Sequence, residues 1–233
     1  MSCPGFGELN IPSSRAFWDD CEEDEFENVE PAEKLQLKFD DSEAVNPIAS
    51  EHMIIIESPH IAHFASSALL QDMKRICKIP AKDSALYWQP SKLQLLAILE
   101  DDLTKSGEVT ELLIPYARLA KKVTTLTLKP KVDYKSEEIN KYVDEIGIVR
   151  SVGPNLANVQ ELEAPNFIAG VAAGIASWRD QEQTPINAYV IYTDKLPLDG
   201  TAAQPVLKLL QKIGLSCNSS YVPARKDSSY LYM

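Results

Sequence analysis

Met53-Ile54-Ile55-Ile56-Glu57-Ser58-Pro59 decides how this chain of 233 residues is read. Four apolar residues in a row, with no polar alternation, describe a short strand buried on both faces, and the Glu-Ser-Pro that follows describes its turn. A helix is expected next, with Ser58 as its cap and Pro59 at its first position. Ile61, Phe64, Ala65, Ala68, Leu69, Met73 and Ile76 recur at three- and four-residue spacing, so the helix is expected to run on until Pro80 stops it. Strand, tight turn and helix in sequence form the unit from which α/β domains are built.

The same reading extends downstream. Residues 85–88 and 93–99 read as strands, the second chosen over a helix, and 107–122 as a helix despite Pro115. The Thr- and Val-rich 123–128 reads as a strand ended by Pro130, and 146–152 as another, followed by a Gly153-Pro154 turn. A helix is expected over 166–181, a central strand at 189–192 and a last helix over 201–213, closed by Gly214. The expected fold is an α/β layered sandwich with a largely parallel central sheet over residues 51–215. Residues 1–50 read as an acidic, disordered arm, and 216–233 as a flexible tail.

Charge separates the arm from the rest. Residues 1–50 hold 13 acids and 3 bases, whereas 51–233 hold 21 acids and 20 bases, so almost all of the net charge of -11 sits in the arm. The block Asp19, Asp20, Glu22, Glu23, Asp24, Glu25, Glu27 and Glu30 repels itself and buries little. A near-neutral body with an acidic arm argues against nucleic acid, which needs a basic stripe. Phe17, Trp18 and Phe26 among these acids suit contact with a basic protein surface, with solubility as the plainer role. No apolar run approaches the ~20 residues of a membrane span, and no signal peptide is visible. Cys3, Cys21, Cys77 and Cys217 are scattered without C-x-x-C spacing, as free thiols of a reducing compartment would be. The expected location is the cytoplasm, with the nucleus as a second compartment.

A search for chemistry returns little. His60 and His63 have i, i+3 spacing but no third ligand or Glu-x-x-His pattern, so no metal is expected. Ser58 beside His60 lacks a G-x-S-x-G elbow. Gly170 and Gly174 frame a G-x-x-x-G that suits close helix packing, without the strand-to-helix G-x-G-x-x-G of a dinucleotide site. Thr193 and Asp194 end a central strand, where ligands bind in open α/β sheets; Asp194 also suits a turn cap, which is the reading favoured here. No cofactor and no catalytic residue are expected. A hydrolase- or phosphorylase-type enzyme using Asp194 stands as a rival.

The tail is more informative. Residues 218–229 contain little to bury, and Tyr230, Leu231, Tyr232 and Met233 form an apolar cluster at the end. Leu231, Tyr232 and Met233 make a hydrophobic-Tyr-any (HbYX) ending, which suits a partner pocket that captures a terminal carboxylate. A short edge strand or a frayed end is the plainer alternative, and a generic adaptor that docks through the same tail onto a carboxylate-binding domain of another kind is a further one.

The segment Leu162-Glu163-Ala164-Pro165-Asn166-Phe167-Ile168, followed by Ala188-Tyr189-Val190-Ile191-Tyr192-Thr193-Asp194, resembles the C-terminal half of the proteasome assembly chaperone 1 family. Phe6-Gly7-Glu8 before an acidic arm is similar to that family's N-terminus, and Leu231-Tyr232-Met233 to its ending; residues 80–151 carry no recognisable part of the likeness. The resemblance implies a non-catalytic chaperone with an α/β fold distantly like phosphorylase and hydrolase domains. It implies pairing with proteasome assembly chaperone 2 and assembly of the core-particle α-ring. It also implies a tail that enters a pocket between α subunits: Met233 presents its carboxylate to a lysine, Tyr232 packs and hydrogen-bonds, and Leu231 fills the apolar subsite.

Overall fold

A computed structural model describes residues 34–40, 46–80, 82–153 and 158–223. The chain divides into two units, 1–34 and 35–233, and the following account concerns the second. In chain order its elements are β1 (Lys38–Phe39), β2 (Ser50–Glu57), α1 (Ile61–Ala68), β3 (Lys74–Lys78), β4 (Ala85–Gln89), β5 (Gln94–Leu99) and α2 (Ser106–Leu119). Then come β6 (Ala120–Pro130), β7 (Gly147–Val152), α3 (Gly170–Gln181), β8 (Ile186–Thr193) and α4 (Ala203–Lys212).

The strands form one eight-stranded sheet in the order β1-β3-β4-β5-β2-β6-β8-β7. β2 lies at its centre, parallel to β5 on one side (Met53 opposite Leu95) and to β6 on the other (Met53 opposite Val123). That position explains the unbroken apolar run: Met53, Ile54, Ile55 and Ile56 are each 0% exposed. Ile54 and Ile56 join Leu96, Leu126 and Ile191 under α1 and α4, while Met53 and Ile55 join Leu95 and Val123 under α2 and α3. Helices therefore cover both faces.

The expectation of a largely parallel sheet is corrected to a mixed one. β5, β2, β6 and β8 run parallel, but the pairs β1–β3, β3–β4, β4–β5 and β7–β8 are antiparallel. The connections from β3 to β4 and from β4 to β5 are too short for a crossover, which forces hairpins. The first helix also ends early, at Ala68, and Ile76 and Cys77 belong to β3. Met73 and Ile76 fit a helical spacing as well as the start of a strand, and pairing of β3 with β4 decides between them. α3 begins at Gly170 and not at Asn166. The remaining strands and helices fall where expected to within a few residues.

The body extends beyond the span expected for it. Within the stretch read as arm, β1 pairs Phe39 with Cys77, and Leu35, Leu37 and Phe39 pack on the α2–α3 side of the sheet. Within the stretch read as tail, Tyr221 is buried, meets Phe64 edge-on at 5.1 Å and donates its hydroxyl to the Leu198 carbonyl at 3.2 Å.

Two close contacts depend on missing side chains. A Cβ on Gly174 would lie 2.7 Å from Thr110 Oγ1, so the glycine lets α3 approach α2 as the G-x-x-x-G spacing suggested. Gly170 has φ +82°, and a Cβ there would collide with the Glu57 carboxylate.

His52, on the α1–α4 face of β2, lies with Nε2 2.9 Å from Thr124 Oγ1 and Nδ1 3.5 Å from Gln94 Nε2. Burial, with the Lys122 charge second, lowers its pKa to about 4. The unfolded chain then binds more protons than the folded one between pH ~6.5 and ~4, so stability contributed by neutral His52 is lost as pH falls through that window. The expected loss is about 3 kcal/mol by pH 4. Urea titrations of wild type and His52→Asn at a series of pH values check this, because the variant should lack that part of the slope.

Candidate partner interface

The two segments that carry the family likeness lie apart in sequence but meet at the carboxyl ends of β6 and β8, beside the edge strand β7. Tyr134, only 3% exposed, is the hub. Its hydroxyl donates to Glu163 Oε1 and accepts from Arg150 Nη2 at 2.8 Å. Arg150 Nε stands 3.7 Å from Glu163 Oε2. The guanidinium lies over the rings of Tyr134 and Tyr142, at 5.3 and 5.0 Å from their centroids. Tyr192 closes the cluster with its ring 5.0 Å from that of Tyr134.

These contacts set the charge states. Burial, and then the hydrogen bond to Glu163, push the Tyr134 phenol up to about 12. The Tyr134 hydrogen bond is the main influence that lowers Glu163, with Ser136 and Arg150 adding to it. A neutral phenol therefore sits between a carboxylate and a guanidinium and ties the loop before α3 to β7. Asn166 completes the frame as a two-way clamp: its Oδ1 accepts the Lys135 N–H at 2.8 Å, and its Nδ2 donates to the Lys135 carbonyl at 2.7 Å and the Glu163 carbonyl at 2.8 Å. This use of its side chain explains why the helix expected at Asn166 starts later.

Outside the frame, four apolar side chains stand exposed among charged neighbours. Val132, Val143, Ile146 and Phe167 are 82%, 63%, 47% and 67% exposed. Lys129 Nζ sits 4.7 Å from the Phe167 ring centroid and donates to the Phe167 carbonyl at 2.8 Å. Lys131 ties the loop down by donating to the carbonyls of Val143 and Glu145 and pairing with Asp194 at 3.4 Å. Beside it lies a hollow of about 370 Å³, bordered by Lys129, Asn166, Phe167 and Tyr192. Exposed apolar side chains beside a hydrogen-bonded polar frame suit binding to another protein surface.

The other residues singled out in the sequence fall as follows. Asp194 is exposed and paired with Lys131, and Thr193 is buried at the end of β8. Ser58 does not cap α1; its hydroxyl donates to the Pro59 carbonyl at 3.2 Å. His60 stands at the cap position with a left-handed backbone, and the Glu100 carboxylate accepts the N–H groups of His60 (2.6 Å) and Ala62 (3.1 Å). His60 and His63 are both exposed. Among the described residues no group of three or more His, Cys, Asp or Glu is placed to hold a metal ion, and no helix is long and apolar enough to cross a membrane. Cys77 and Cys217 are free thiols, each pushed up to about 11 by burial. Leu231, Tyr232, Met233 and the acidic arm lie outside the described residues.

Sequence reasoning missed the roles of Arg150 and Tyr134. The available signal was a lone arginine inside the apolar run 146–152, which at a buried position demands partners.

No family model matches the sequence, and no curated protein matches it. Solved structures do. A Thermoplasma acidophilum protein of unknown function is similar at 12% identity and TM-score 0.54, over 71% of this chain and 77% of that one. PbaA of Pyrococcus furiosus, an archaeal homolog of proteasome-assembly chaperone, is similar at 17% identity and TM-score 0.53, over 79% and 88%. PbaB of the same organism, an archaeal proteasome activator, is similar at 14% identity and TM-score 0.52, over 80% and 91%. At these identities the likeness establishes a shared fold. It is the α/β fold with a mixed eight-stranded sheet described above.

Proposed function

We propose that this chain is a proteasome assembly chaperone of the chaperone 1 type. It acts without catalysis in the cytoplasm, and secondarily in the nucleus. It pairs with proteasome assembly chaperone 2 and promotes assembly of the core-particle α-ring. Leu231, Tyr232 and Met233 dock in a pocket between α subunits, with Met233 supplying the carboxylate, Tyr232 the phenol and Leu231 the apolar plug. The observation that carries this reading is the fold shared with PbaA over 79% of the chain. The hydrophobic-Tyr-any ending and the meeting of both family-like segments at Tyr134 support it.

A three-residue plug makes few contacts and binds weakly alone. Tethered to a body that touches the same ring, it acts at a high effective concentration, which multiplies affinity by about 10²–10⁴. Deleting residues 231–233, or changing Tyr232→Ala, should therefore lower affinity for α-subunit assemblies at least about tenfold while leaving chaperone pairing intact. Pull-down with an N-terminal tag, followed by titration against purified α-rings, measures both. Wild-type ring affinity in either variant removes the tail from the mechanism, and absence of every proteasome subunit from the pull-down removes the chaperone assignment.

A further inference from the structure

The central strands contain a second feature that the chaperone reading does not use. β2 and β5 are parallel neighbours, but their connections leave on opposite sides: α1, after β2, packs on the Ile54 face, and α2, after β5, on the Met53 face. Diverging connections open a crevice at the carboxyl ends of such strands, where ligands of open α/β sheets bind. A cavity of about 510 Å³ lies at these ends, between His60 of the β2–α1 turn and Glu100 just after β5. That volume is in the range of ligand pockets.

The cavity has an apolar side and an acidic side. Phe64, Leu198 and Tyr221 line the former, held by the edge-on Phe64–Tyr221 contact and the Tyr221-to-Leu198 hydrogen bond. Asp83, Glu100 and Asp199 line the latter, and among the described residues no lysine or arginine lines the cavity. Glu100 is turned toward the first N–H groups of α1, and Asp199 accepts the N–H groups of Thr201 and Ala202 and pairs with Lys195 at 2.9 Å. Asp83 is exposed on the β3–β4 connection.

We infer that this crevice binds a basic peptide segment of a partner protein, taking an apolar or aromatic side chain against Phe64, Leu198 and Tyr221 and the adjacent lysine or arginine beside Asp83. Carboxylates around an apolar floor favour that occupant over an acidic or purely apolar one: Asp199 is paired with Lys195 and Glu100 caps α1, but Asp83 is left to meet a cation, repel an anion, and be desolvated without compensation by an apolar group. This inference stands apart from the tail and from the α-ring.

The test uses the full chain and two capped, fluorescein-labelled peptides with Lys-Lys-Phe or Gln-Gln-Phe at the centre of an otherwise identical Gly/Ser sequence, read by fluorescence anisotropy. The lysine peptide should bind at least about tenfold tighter at low salt, with the difference shrinking as salt rises. Asp83→Lys, at an exposed position that leaves the fold intact, should abolish the difference. Equal binding of the two peptides, or an undiminished difference in Asp83→Lys, overturns the inference. The chain's own Arg225 and Lys226 follow shortly after Pro223, which lines the cavity. The double variant R225Q/K226Q therefore serves as the competing arm: a tenfold gain in peptide affinity would assign the crevice to that segment in place of a partner, and unchanged affinity supports the partner. Ring association is unaffected by any of these outcomes, so failure here leaves the chaperone reading to its own test.

Discussion

Replacing Arg179 by leucine will lower the unfolding free energy by about 2–4 kcal/mol, the scale set by several buried carbonyls losing a donor at once. Arg179 is only 2% exposed. Among the described residues no carboxylate bonds its guanidinium; backbone carbonyls surround it instead. It donates to Ala117 at 2.9 Å and Ala120 at 3.2 Å, where α2 ends and β6 begins, to Lys121 at 3.4 Å, and to Pro185 at 2.9 Å just before β8. Carbonyls at a helix C-terminus lack intrahelical donors and carry partial negative charge, so a cation from the neighbouring helix satisfies them and complements the dipole. Burial lowers the pKa of the guanidinium, which nevertheless keeps its charge at neutral pH. Without it, Ala117 keeps only the Ala120 N–H, and any of the Ala120, Lys121 and Pro185 carbonyls left without a donor costs about 1–3 kcal/mol, partly offset by relief of the desolvated charge. Lysine should recover little, because a point charge on a flexible stem cannot serve acceptors arranged around a planar fork. Urea unfolding followed by circular dichroism measures the change, and a loss under about 1 kcal/mol would show that the carbonyls find other donors.

Glu57→Ala should cost about 2–4 kcal/mol, by removing a charged acceptor that serves two helix N–H groups. Glu57 is 2% exposed at the end of β2. Its carboxylate accepts the N–H of Val171 at 2.9 Å and of Ala172 at 2.8 Å, in the first turn of α3. The residue at the cap position, Ala169, has no side chain for that task. Burial raises the Glu57 pKa, and the two backbone hydrogen bonds oppose the rise. With the folded pKa above the unfolded one, the folded state binds more protons just above pH ~4.5, so this group's contribution falls as pH rises there, opposite in sign to that of His52. Glu57→Gln should be milder than Glu57→Ala, since an amide oxygen keeps one of the two bonds. Gly170→Ala, which drives a methyl into the carboxylate and strains a positive φ, should cost less in the Glu57→Ala background than in wild type. Additive losses in that double-mutant cycle would show that Gly170 and Glu57 are not coupled.

Both predictions concern residues whose partners are far away in sequence, and this is where sequence reading reached its limit. The apolar run 53–56 is legible as a doubly buried strand because burial on both faces leaves no polar positions to alternate. The helices around 107–122 and 201–213 and the strands at 85–88, 123–128, 146–152 and 189–192 are legible for the same reason: each carries its burial pattern locally. The end of α1 is not, because Met73 and Ile76 satisfy two periodicities and only the β3–β4 pairing separates them. The candidate interface is half legible. Glu163, Asn166, Tyr192 and Asp194 draw attention as a family-like set, whereas Tyr134 and Arg150, which bind that set together, lie outside both family-like segments.

The sequence by itself determined an α/β domain with helices and a central apolar strand, an acidic first fifty residues, and a hydrophobic-Tyr-any ending, because composition, periodicity and terminal motifs are properties of neighbouring residues. The tertiary structure alone decided that the sheet is mixed, that Glu57 caps α3, that Arg179 ties two strands to a helix end, and that an acidic crevice opens between β2 and β5. Each of these is a pairing across tens of residues, and its free energy comes from removing specific polar groups from water together, which no local pattern records.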